Sequence, residues 1–72
     1  MDPVIELNHI VSELNEARIS MDRLRDFWED GKEERLWERA KDASYAIMHS
    51  MSCSGDVYAE YKSRKGEENV EV

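Results

Sequence analysis

Seventy-two residues with a formal charge of -7 and 38% charged side chains make one small domain, and that acidic balance argues against nonspecific binding to nucleic-acid phosphates or anionic membranes. Cys53 is the only cysteine, so no disulfide can form within the chain. With two histidines it leaves too few ligands for a structural zinc site in one protomer.

Asp2 followed by Pro3 reads as an N-cap and first helical residue, since the carboxylate accepts orphan amides and proline has no amide to leave unsatisfied. From Val4 to Glu29 no glycine or proline intervenes, which predicts a first helix over about residues 3–29. Within it Leu7, Ile10, Leu14, Ala17, Met21, Leu24 and Trp28 alternate in steps of three and four, the spacing of one helical stripe. Asp30-Gly31-Lys32 is the expected turn: Gly31 suits a left-handed closing residue, and Asp30 with Glu33 suits a capping box.

A second helix is expected over about residues 33–64, with Ser50, Ser52, Ser54 and Gly55 as a place to fray or kink. Residues 66–72 carry no periodicity and read as an acidic tail. Folded back antiparallel, the stripe Leu36, Ala40, Ala43, Ile47, Ser50, Ser54, Val57, Tyr61 is expected to meet the first. Trp28 then faces Leu36, Leu24 faces Ala40, Met21 faces Ala43 and Ala17 faces Ile47, so that large meets small along most of the seam.

A second helix-period stripe on the second helix, Trp37, Ser44, Met48, Met51, Gly55 and Tyr58, beside Val4 and Val11 of the first, is left over by that pairing. A hairpin this short is marginal alone, so the expected architecture is an all-α, coiled-coil-like antiparallel hairpin. Two copies would press Val4, Val11, Trp37, Met48, Met51 and Tyr58 together into a four-helix bundle. The alternative use of this stripe is docking a protein target, with Arg18, Arg25 and Lys41 as a basic rim. Glu6, Glu13, Glu16, Glu38 and Asp42 (with Asp56) are read as an acidic outer face that keeps the helices soluble or imitates nucleic-acid phosphates.

The same pattern holds no complete catalytic set. Glu13 and Glu16 have the spacing of helical metal-binding carboxylates, but Glu38 and Asp42 fall at another level of the hairpin and cannot complete the set. His49 and Cys53, four apart, supply half a tetrahedral site at most. No apolar run approaches the ~20 residues that cross a bilayer, and Met-Asp-Pro-Val-Ile-Glu lacks the basic start of a signal peptide. The expectation is a cytoplasmic, non-enzymatic protein without cofactors that regulates or inhibits a protein partner by surface binding. In architecture alone the hairpin resembles small phage and plasmid accessory regulators. An acidic mimic that blocks a DNA- or RNA-binding enzyme is the alternative, and a direct RNA-binding bundle through Arg18, Arg25 and Lys41 a third, which the net charge disfavours.

Overall fold

Two helices make up the computed structural model, which describes the backbone of residues 1–70 and the side chains of residues 1–66. They are α1, Pro3–Asp30, and α2, Glu34–Val70, packed as an antiparallel hairpin about 61 Å long and 17 × 13 Å in cross-section. That is a single layer of helices. At the start of α1 the Asp2 carboxylate accepts the Val4 amide at 3.0 Å, and Pro3 occupies the first turn, as the cap chemistry predicts.

The turn closes differently from the sequence expectation. Gly31 stays right-handed, φ -78°, and the left-handed residue is Lys32, φ 59°. The Lys32 amide donates to the Glu29 carbonyl at 3.1 Å and the Glu33 amide to the Trp28 carbonyl at 2.9 Å. This pair of bonds is the Schellman arrangement with Lys32, not Gly31, in the strained position. Asp30 is the last residue of α1, so it does not cap α2. The Glu33 carbonyl accepts the Trp37 amide at 2.9 Å, the first helical bond of α2.

Nor does α2 break at Ser50–Gly55; it is one continuous helix to Val70, reaching through most of the segment read as a tail. Residues 71–72 lie outside the described residues. Each serine or glycine there costs at most about 1 kcal/mol of propensity, and Ile47, Met51 and Tyr58 stay half-buried on the same side throughout. Packing along the whole length outweighs those local penalties.

The seam is also turned relative to the expected pairing. On α1 the residues sheltered by the partner helix are Val4, Leu7, Val11, Leu14, Arg18, Met21, Arg25 and Trp28; on α2 they are Trp37, Ala40, Ser44, Ile47, Met51, Ser54, Tyr58 and Tyr61. These positions repeat every seven residues, the pattern of a coiled-coil seam, with Asn15, Asp22, Lys41 and Ala43 half-buried beside them. Half of each expected stripe survives. The other half does not: Ile10, Leu24, Leu36 and Val57 are 43, 41, 44 and 55% exposed, and Ala17 and Ser50 are exposed as well.

The physical reason is the size of what is sheltered. Turning α2 by one position exchanges Leu36, Ser50 and Val57 for Trp37, Met51 and Tyr58, which carry far more apolar surface. On α1 the same turn brings in Val4, Val11 and the aliphatic stems of Arg18 and Arg25, whose charged heads reach out past the seam. Even so, only Ala40 and Ser44 are buried among the described residues, at 2 and 3% exposure, and no large side chain is fully enclosed.

Candidate interaction surfaces

Seen end on, the hairpin has two flanks beside its seam, and they differ chemically. One is polar and hydrogen-bonded. Ser44, buried on α2, donates its hydroxyl to Asp22 Oδ1 on α1 at 2.7 Å. Asp22 Oδ2 accepts from Arg18 Nη1 at 3.2 Å, Arg25 Nη1 lies 3.7 Å from Asp22 Oδ1, and Arg18 Nη2 donates to Asn15 at 3.2 Å. Asp22 thus pairs with both arginines of the seam and ties α1 to α2. Nearby, Lys41 Nζ sits 4.6 Å from the Trp37 ring centroid, a cation-π contact one helical turn long.

The other flank is apolar. Each of Ile10, Leu24, Leu36 and Val57 stands one residue before a seam position, and in an antiparallel pair these predecessors emerge on the same flank of both helices. Phe27, 70% exposed, extends this strip at the turn end. Ala17 and Ala43 lie between the larger side chains.

The six residues expected to form an interface therefore divide. Val4, Val11, Trp37, Met51 and Tyr58 are half-buried inside the hairpin, and Met48 alone stays exposed, on the polar flank. Tyr58 lines a shallow cleft together with Leu7, Val11, Ser54 and Gly55, and Trp37 lines another with Trp28 near the turn. Arg18, Arg25 and Lys41 are half-buried, the two arginines paired with Asp22 and Lys41 stacked on Trp37. Glu6, Glu13, Glu16, Glu38 and Asp42 are all exposed, but helical spacing spreads them around the outside of the hairpin instead of gathering them on one face.

Asp22 is the residue the sequence reading passed over. Its signal was present: it stands four after Arg18 and three before Arg25, the spacings at which helical ion pairs form. His49 Nε2 and Cys53 Sγ lie 3.5 Å apart on the exposed surface, and His9 Nε2 lies 3.6 Å from Glu13 Oε1. Among the described residues no three His, Cys, Asp or Glu side chains gather at one point, and no helix is long and apolar enough to cross a membrane.

No family model, curated protein or solved structure matches the chain. The two flanks differ in bonding: one carries the Asp22 cluster and still exposes Met48, with Ile5, Ile19 and Tyr45 on its outer edge, while the other exposes Ile10, Leu24, Leu36 and Val57 with no hydrogen bond between the helices among the described residues.

Proposed function

We propose that the chain is a homodimeric, non-enzymatic helical protein that regulates or inhibits a protein partner by surface binding. The observation that carries this reading is the uncovered strip of large apolar side chains on a one-layer hairpin with just two buried residues among those described. Contiguous apolar surface of this kind marks association sites, and a hairpin with so thin a core gains stability by covering it. The clefts along the hairpin are shallow grooves between helices, shapes that suit another protein's side chains better than an enclosed small substrate.

The acidic-mimic alternative draws less support, because the glutamates are dispersed around both helices and interleaved with Arg23, Arg35 and Arg39. A mimic of phosphates presents a continuous negative surface. The test has two parts. Size in solution is followed across a dilution series, where the dimer is expected to persist into the micromolar range; a compact, sharply melting monomer at that concentration refutes the dimeric half. Affinity capture from host extract is then washed with rising salt. A partner held by apolar contact stays bound, whereas release by salt together with loss of binding on reversing Glu13, Glu16 and Glu38 would establish the electrostatic mimic in its place.

A further inference from the structure

The apolar flank has a size, a pattern and a charge distribution that specify what covers it. A compact monomer of 8.5 kDa exposes roughly 4,700 Å² by the area-mass relation of folded proteins. The hairpin exposes 5894 Å², on the order of 1,200 Å² more than that relation gives. Some of the difference belongs to the last turns of α2, which run past the start of α1. What remains is surface that a one-layer hairpin leaves open along its sides, enough to supply the ~800 Å² that one partner of a standard interface buries.

The pattern is self-complementary. Large side chains stand at both ends of the strip, Ile10 with Val57 and Leu24 with Leu36, and small ones, Ala17 and Ala43, stand in the middle. A two-fold axis crossing the middle of the hairpin lays large ends on large ends and lets the helices approach closely at the alanines. The charges bordering the strip select the direction. Arg39 stands towards the turn, and Glu6, Glu13 and Glu60 stand towards the open end, Glu60 already holding Arg64 at 2.8 Å. Stacking turn on turn brings the glutamates of two copies together, whereas stacking turn on open end brings Arg39 and Phe27 onto them.

We propose that the occupant of this flank is a second copy of the chain, laid antiparallel, so that the turn of each hairpin rests on the open end of the other. This rests on the homodimeric reading above and adds to it the face and the direction. In the resulting bundle α1 packs on α1 and α2 on α2, and the flank that carries Asp22, Lys41 and Met48 stays free for a different protein.

The test compares size and cross-linking of the full chain at micromolar concentration. Wild type and Met48→Glu are expected to run as dimers, and Leu24→Glu and Val57→Glu as monomers. Since a glutamate can also unfold so thin a hairpin, a second measurement uses Ala46→Cys with Cys53→Ser. Ala46 lies beside the two-fold axis on α2, and mild oxidation is expected to link two copies covalently with the helical signal unchanged. A dimer that survives Leu24→Glu and Val57→Glu but is lost with Met48→Glu overturns the face and leaves the homodimeric reading standing; a monomeric wild type overturns both. A covalent link that forms only when Ala46→Cys is mixed with Ser20→Cys, both lacking Cys53, overturns the direction, because it puts α2 on α1 of the partner.

Discussion

Ser44 donates its hydroxyl to Asp22 across the seam at 2.7 Å, and this is the one side-chain hydrogen bond between the two helices among the described residues. Ser44 is one of two buried residues, and Asp22 also balances Arg18 and Arg25. The bond fixes both how far α2 slides along α1 and how each helix is turned. A buried hydroxyl without its acceptor is costly, so Asp22→Ala is expected to lower the unfolding free energy by about 1–3 kcal/mol. In a double-mutant cycle with Ser44→Ala, measured by urea unfolding, the coupling is expected near 1 kcal/mol; additive effects would show that the bond contributes nothing to stability.

At the turn the strained residue is Lys32, and a side chain in the left-handed region costs about 1 kcal/mol relative to glycine. Lys32→Gly is therefore expected to raise the melting temperature. Gly31→Ala is expected to be tolerated or mildly stabilising, since an added Cβ meets only the Phe27 and Trp28 carbonyls at 3.5 and 3.9 Å. Thermal unfolding of the two variants side by side checks the assignment. The reverse order of effects would place the left-handed residue at Gly31.

Gly55 interrupts α2 in sequence but not in structure. A Cβ built there meets nothing within 4 Å, so Gly55→Ala removes backbone entropy from the unfolded chain without a clash. The expected gain is about 0.5–1 kcal/mol, read as an increased denaturant midpoint with an unchanged slope.

Trp37 and Tyr45 are both aromatic residues of α2, yet one lies in the seam and the other is 60% exposed. Trp37→Ala is expected to cost about 2 kcal/mol, while Tyr45→Ala stays within about 0.5 kcal/mol of wild type. Equal costs would mean that α2 is turned away from the position described.

Helix 1, its Asp2 cap, the site of the turn and the antiparallel hairpin follow from the sequence by itself, because each is decided within a few residues: a carboxylate beside orphan amides, an unbroken run of helix formers, a glycine where the chain must reverse. Two overlapping stripes on α1 share Leu7, Leu14, Met21 and Trp28, and two on α2 share Ala40, Ile47, Ser54 and Tyr61. Periodicity weighs the members of each pair equally, and the size alternation along the expected stripe made the wrong one attractive. Only the tertiary structure chose, because the choice depends on comparing whole faces. Trp37, Met51 and Tyr58 gain more from shelter than Leu36, Ser50 and Val57, and Asp22 with Ser44 bonds in one rotation. That choice moved the open apolar strip beside the seam to Ile10, Leu24, Leu36 and Val57.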